Sequence, residues 1–181
     1  MQRELLENVC EQIKRCLGNI VLLIESKNYR LAELETRHLD MILKLMKSEI
    51  SIASYINEYS LFFPNGELFA HQDNYIPQFV FLKKKAAETV TIDKDVLCFI
   101  DVLQICSDNI KRHIACEKYE NIKDEVYYNH NVPTLILTEN KELIEYYLSV
   151  ECTCCEFYCS KEMIKSYDSA WQLIRKQFCC Q

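Results

Sequence analysis

The sequence is poor in the two residues that build turns and tight loops, with only 2 glycines and 3 prolines among 181 residues. This scarcity excludes a turn-rich β-sandwich and a glycine-rich phosphate-binding loop. Long apolar runs are also missing: the run at residues 20–24 is far shorter than the roughly 20 residues that cross a bilayer. Because 49% of the residues are hydrophobic and 27% are charged, the composition predicts one folded domain with a real core and no membrane contact.

An excess of positive charge is absent as well. The chain has 21 Lys and Arg against 27 Asp and Glu, which gives a net charge of −6. Proteins that clamp duplex DNA are usually basic, because neutralising phosphates supplies most of their affinity. The composition therefore argues against duplex DNA as a partner. The run Lys83-Lys84-Lys85 is the one local basic patch, and it is the candidate contact for RNA.

Cysteine, in contrast, is abundant, with 11 in the chain. The count is odd and the first residues lack the layout of a secretory signal, so we expect reduced thiols in an intracellular reducing compartment, the nucleus or the cytoplasm. Four of them, Cys152, Cys154, Cys155 and Cys159, cluster within one predicted strand. Alternate residues of a strand face opposite sides, so one zinc ion could not collect all four. We therefore predict no metal site and no disulfide.

The first third of the chain predicts helices. Residues 3–17 have apolar positions at helical spacing, and Gly18-Asn19 is a stop signal. The run at 20–24 suits a buried parallel strand or a continuation of the first helix, and periodicity does not separate the two. A long helix follows, with an apolar stripe from residue 31 to residue 56. His38 lies on this stripe and is interpreted as a hydrogen-bonded core histidine.

The remainder predicts alternating strands and helices. A loop is predicted at 64–78 and a polar connector at 120–131. Strands are predicted at 78–82, 133–138 and 152–159. Helices are predicted to begin at residue 93 and at a cap at 107–109, to span 141–150, and to follow Ser160. This order predicts a single α/β domain over 1–181: a helix-rich part (1–63), a loop (64–78) and an α/β remainder (79–181) around a short parallel sheet. The alternative is a helical bundle to residue 130 with a small β-α-β tail.

Four segments resemble the PIN-domain nucleases. Residues 135–143, Leu-Ile-Leu-Thr-Glu-Asn-Lys-Glu-Leu, are similar to that family's late strand, which ends in an acid and runs into a helix. Residues 107–119 resemble its acidic helix start, and the segments 20–28 and 75–82 resemble its first and second strands. The resemblance implies a PIN-like α/β fold over most of the chain.

The resemblance also implies a set of carboxylates, Glu25, Asp108 and Glu139, at the ends of parallel strands. Such a set could hold Mg²⁺, which would activate water for phosphodiester cleavage. Two of the three are Glu where the family favours Asp, and lysines stand where a fourth acid is expected. Structural roles are the competing interpretations: a helix cap for Asp108, a helix N-terminus for Glu139 and a solvated residue for Glu25.

The damaged acidic set predicts a protein without catalytic activity. The 11 tyrosines are residues that protein interfaces favour. We therefore predict a non-catalytic, PIN-like protein-interaction subunit, within an RNA-processing assembly, that needs no cofactor. The alternative is a Mg²⁺-dependent PIN-like endoribonuclease that uses Glu25, Asp108 and Glu139.

Overall fold

The computed structural model describes residues 3–62, 76–88, 92–138, 141–149 and 161–179. Within these ranges the chain forms helices and no strand. The helices are α1 (Arg3–Glu25), α2 (Tyr29–Met46), α3 (Ile52–Phe62), α4 (Ile76–Lys84), α5 (Lys94–Ala115), α6 (Glu120–Asn129), α7 (Val132–Leu137), α8 (Lys141–Ser149) and α9 (Lys161–Cys179). The α/β class predicted from the sequence, and with it the PIN-like fold, is therefore wrong.

The chain divides into two compact units, Met1–Asp93 and Lys94–Gln181. In the first unit, α1 packs along α2, α3 contacts α2 and α4, and α4 contacts α1. In the second unit, α5 contacts α6, α7 and α9, and α8 packs on α9. In each unit the longest helix comes first, and the shorter helices pack on it or on one another.

Helix α1 continues through residues 20–24, the segment for which the sequence left open a strand or a continuation of the first helix. Leu5, Val9, Ile13 and Ile20 are at most 1% exposed and follow the helical repeat on the face that meets α2. Leu22 is 47% exposed. In a strand residues 20 and 22 would share one face, so their different burial follows from the helical path. Gly18-Asn19 does not stop the helix.

Two predicted strands are helical. Residues 133–137 fall in α7, which begins at Val132 and has Pro133 in its first turn, and Thr138 follows the helix with an extended backbone. Proline is tolerated there because the first amide groups of a helix have no partner within the helix. Residues 78–82 lie within α4, and the predicted connector at 120–131 contains α6. The predicted strand at 152–159 lies outside the described residues, as does most of the loop at 64–78.

Three predicted helices are confirmed, whereas one predicted long helix and one predicted helix cap are wrong. The predicted helices at 3–17 and after Ser160 are confirmed as parts of α1 and α9, and the one at 141–150 is confirmed over its described residues, 141–149, as α8. The long helix of the first third is two helices, because the chain turns at residues 47–51 between α2 and α3. The cap predicted at 107–109 is wrong, since these residues lie inside α5.

Both long helices end with the same backbone turn. Lys27 and Glu117, just after α1 and α5, have φ values of 58° and 57°. After α1, the amide of Asn28 donates to the carbonyl of Leu23 over 2.8 Å, and the amide of Lys118 makes the same bond to His113 after α5 over 2.9 Å. This bonding is the Schellman motif, whose left-handed position usually holds glycine.

Replacing Glu117 with Gly should therefore stabilise the second unit. A side chain at positive φ costs about 1 kcal/mol that glycine does not incur. We expect the free energy of unfolding to rise by about 1 kcal/mol in urea titrations followed by the fluorescence of Trp171, the chain's one tryptophan, which lies on α9. Lys118→Gly, at a neighbouring position without positive φ, should give no gain. Equal gains from both variants would contradict this account.

No helix in the described part of the chain is long and apolar enough to cross a membrane. This agrees with the short apolar runs of the sequence.

Candidate functional site

The helical hairpins α1–α2 and α5–α6 have a buried asparagine and a buried glutamate at equivalent positions. In each hairpin the first helix contains Cys-x-x-Asn-Ile, and a glutamate of the second helix follows 16 residues after the asparagine. The asparagine donates to the glutamate carboxylate, over 3.3 Å for Asn19 and Glu35 and over 3.2 Å for Asn109 and Glu125. The second pattern lies 90 residues after the first, as do the two left-handed residues that end α1 and α5. A buried amide–carboxylate pair between two helices is therefore a repeated feature of this chain.

In the first unit this pair adjoins a cysteine and a histidine. Cys16, Glu35 and His38 are at most 1% exposed. The Nδ1 atom of His38 lies 3.2 Å from Sγ of Cys16 and 3.8 Å from Oε1 of Glu35. One ligand atom from each of the three residues falls within 4.8 Å of the others. The hairpin α1–α2 thus brings a thiol, an imidazole and a carboxylate together in its core.

Helix α3 closes this cluster from the other side of the imidazole. The Nε2 atom of His38 lies 2.7 Å from Oη of Tyr55, and Tyr55 donates its own proton to Oε1 of Gln12 over 2.6 Å. The ring of Tyr59 meets the His38 ring edge-on at 4.9 Å between centroids. Burial, with the nearby Glu35 and Cys16, raises the pKa of Tyr59 above its usual value. The prediction that His38 is a hydrogen-bonded core histidine is confirmed.

In the second unit the carboxylate of Glu125 is surrounded by donors. Tyr167 of α9 donates its hydroxyl proton to Oε2, Asn109 donates to the same oxygen, and Nε2 of His113 lies 3.3 Å from Oε1. Asn129 donates to Oη of Tyr167 over 2.9 Å. Burial raises the pKa of Glu125, and these donors act in the opposite direction because they favour the ionised form. The cluster joins α5, α6 and α9.

A cleft of about 320 Å³ opens beside this cluster. Its lining carries both signs of charge, with Arg112, His113 and Lys118 facing the same space as Asp124, Glu125 and Glu162. Mixed charge of this kind does not define one class of ligand. Burial raises the pKa of Asp124, opposed by His113.

Two of the three carboxylates predicted as a nuclease site, Glu25 and Asp108, are exposed residues of helices. Glu25 is exposed at the end of α1 in the first unit. Asp108 is exposed in the middle of α5 in the second unit, where Oδ1 pairs with Nζ of Lys111 at 2.7 Å. Glu139 lies outside the described residues. Asp108 is therefore neither a helix cap nor a residue that ends a strand.

The basic run ends α4. Lys83 and Lys84 are exposed, whereas Lys85 is half-buried and pairs with Glu88 over 2.8 Å. Nζ of Lys85 also lies 5.9 Å from the centroid of the Phe81 ring. The contact of these three lysines with RNA stays a prediction.

The cysteine side chains that the structure describes are thiols. Cys10, Cys16 and Cys106 are buried, Cys98 is half-buried and Cys116 is exposed. Burial raises the pKa of the Cys10 thiol to about 12, so it is protonated at neutral pH. The cluster Cys152, Cys154, Cys155 and Cys159 lies outside the described residues.

The sequence analysis missed both buried glutamates. A usable signal exists in the sequence, since identical residues recur 90 positions apart at Cys16, Asn19, Tyr29 and Glu35. A glutamate that recurs with a buried cysteine and asparagine indicates a shared interior contact rather than a solvated face. The pairing across two helices depends on the tertiary structure and has no local signature.

Comparisons of the chain with protein-family models, with curated proteins and with solved structures find no match. What the described residues define is a helical protein of two units, each built on a hairpin with a buried glutamate–asparagine pair.

Proposed function

We propose that this chain is a non-catalytic protein that binds another protein through apolar side chains of its second unit. The observation that carries the proposal is the exposure of large apolar side chains there: Tyr146 is 68% exposed, Leu173 61%, Tyr127 54% and Leu143 50%. Aromatic side chains are enriched in the parts of protein surfaces that bind partners. We do not propose the alternative, a Mg²⁺-dependent PIN-like nuclease, because that family has an α/β fold and the described residues form helices and no strand.

Helix α8 shows the arrangement most clearly. Its Ile144 and Leu148 are buried, at 4% and 8% exposed, on the face toward α9. Leu143 and Tyr146 lie one turn apart on a second, exposed face. The solvent-facing side of an amphipathic helix usually carries polar residues. The second face therefore supports a contact with a partner that presents apolar groups.

The polar residues of the interior support a non-catalytic role. The buried carboxylate of Glu125 is bonded by side chains of its own unit, including Tyr167, Asn109 and His113. A general acid or base must reach a substrate within hydrogen-bond distance. Because donors of its own unit already bond the carboxylate of Glu125, we assign this residue a structural role. The prediction of an RNA-processing assembly rested on the PIN resemblance, and we do not extend it to this fold.

Photocrosslinking in the cells that make the protein tests the proposal. A benzophenone amino acid at position 143 or 146 should crosslink to the same discrete polypeptide, because both face the proposed partner. The matched control is position 145, exposed on the same helix but about 100° or more away from both. A polypeptide crosslinked equally well from 145, or none from 143 and 146, would contradict the proposal.

A further inference from the structure

We propose that Cys16, Glu35 and His38 bind one zinc ion in the core of the first unit. The proposal is independent of the protein-binding function, which concerns the second unit. It departs from the sequence-based prediction of no metal, which considered the cysteines at 152–159 and not this set. Thiolate and imidazole are ligands of Zn²⁺ rather than of Mg²⁺, so the site differs in kind from the one that the PIN resemblance implied.

The distances are close to those of a metal centre. A tetrahedral zinc ion with bonds of about 2.0–2.3 Å separates neighbouring ligand atoms by about 3.3–3.6 Å. Nδ1 of His38 lies 3.2 Å from Sγ of Cys16 and 3.8 Å from Oε1 of Glu35. Sγ of Cys16 and the carboxylate of Glu35 lie within 4.8 Å of each other, so these two groups would approach by up to about 1 Å to share an ion with His38. Cys16 comes from α1 and the other two from successive turns of α2, so the ion would join the hairpin.

The hydrogen bonds around the imidazole select the nitrogen that a metal needs. Tyr55 gives its one hydroxyl proton to Gln12, whose amide nitrogen in turn donates to Asn8. The oxygen of Tyr55 is then an acceptor, and Nε2 of His38 carries the proton that it accepts. In neutral His38, Nδ1 therefore bears the lone pair, and Nδ1 is the atom that faces Cys16 and Glu35. Metal-bound histidines usually donate the other N–H in this way.

Charge balance points to a divalent ion as well. Glu35 is 0% exposed, and an ionised carboxylate in the core is costly without compensation. A Zn²⁺ ion bound by one carboxylate, one thiolate and a neutral imidazole makes a centre with no net charge. Asn19 donates to Oε1 of Glu35 and would hold the carboxylate in position.

The second unit supplies an internal comparison. Its hairpin retains the cysteine and the glutamate, as Cys106 and Glu125, but Tyr128 stands at the position of His38. There the carboxylate is met by Tyr167 and His113 instead. Among the described residues, Cys16, Glu35 and His38 form the single set of potential metal ligands with this proximity. The zinc site is thus a difference between the two hairpins rather than a property of both.

Metal content and cobalt substitution of the full chain test the site. We expect about one equivalent of zinc per chain in protein refolded with excess zinc and then desalted. Refolding with Co²⁺ should give the near-ultraviolet band of a thiolate–cobalt bond. Cys16→Ser should abolish that band, whereas Cys106→Ser, at the matching place in the other hairpin, should keep it. Tyr55→Phe should weaken zinc binding by about 10–100-fold, as loss of a partner of a ligating histidine typically does.

X-ray absorption of the zinc-loaded, unsubstituted protein keeps the test decisive if a core variant fails to fold. The expected shell is one sulfur with nitrogen and oxygen ligands. Two or more sulfurs would assign the ion to other cysteines and overturn the proposal. So would a protein that binds no zinc, or one that loses its metal when Cys152, Cys154, Cys155 and Cys159 are all changed to Ser.

Discussion

Ile20→Ala should destabilise the protein by about 2–5 kcal/mol, whereas Leu22→Ala should cost about 0.5 kcal/mol or less. Ile20 is 0% exposed on the face of α1 that meets α2, and its truncation leaves a cavity in a packed core. Leu22 is 47% exposed two residues later. The large difference is expected because α1 is helical here.

Thermal and urea unfolding followed by far-ultraviolet circular dichroism would measure both variants. The buried strand that the sequence also allowed for 20–24 makes a different prediction, since it buries alternating residues on both of its covered faces. In that case both substitutions would cost several kcal/mol. Similar losses for Ile20→Ala and Leu22→Ala would therefore contradict the helical path.

Tyr167→Phe should destabilise the second unit by about 1–3 kcal/mol at neutral pH. The hydroxyl of Tyr167 donates to the buried carboxylate of Glu125 and accepts from Asn129. Phenylalanine fills nearly the same volume but leaves the carboxylate without that donor. Tyr127→Phe is the matched control, because Tyr127 is 54% exposed, and it should change stability by less than about 0.5 kcal/mol.

The cost of Tyr167→Phe should grow as the pH rises. Burial holds the folded-state pKa of Glu125 above its ordinary value of 4.5, so ionising it lowers stability as the pH rises above about 4.5. The Tyr167 hydroxyl favours the ionised form, and its loss moves this pKa further upward. Urea titrations followed by Trp171 fluorescence at acid and neutral pH would measure the effect. A cost that is the same at both pH values would show that Glu125 is not the affected partner.

Long amphipathic helices were the predictable part of this fold. The apolar residues of α1 before Gly18, and those of α9, recur at helical spacing over several turns, and this pattern is specific to a helix that packs on one side. His38 was placed correctly in the core for the same reason. The local pattern was enough to predict a helix in these segments, although packing against other helices stabilises it.

Short apolar runs were not predictable in the same way. Residues 20–24 and 133–138 are rich in Ile, Leu and Val, and a buried strand and a buried helical turn both accept such residues. Pro133 suited the start of a strand and equally the first turn of α7. The choice between strand and helix at 133–138 depends on packing, because α7 contacts α5. A contact of this kind has no signature in the local sequence.

The site shows the same division between local and tertiary information. Glu25 was chosen because it follows an apolar run, and Asp108 because residues 107–109 resembled the start of a helix. In the structure Glu25 ends α1 and Asp108 lies inside α5, so both are exposed helical residues, one in each unit. Glu35 precedes His38 by one helical turn, so their proximity was accessible from spacing. The third member, Cys16, belongs to another helix and is brought close only when α1 packs on α2.

The distribution of cysteines gives each unit its own chemical reporter of local opening. Cys10 in the first unit and Cys106 in the second are 0% exposed, whereas Cys116, the residue directly after α5, is exposed. A thiol reagent reacts with Cys116 in the native protein but reaches Cys10 or Cys106 only when the surrounding helices separate. The rates of alkylation at Cys10 and Cys106 therefore report the free energy of local opening in the first and second unit, within one chain that carries no added label.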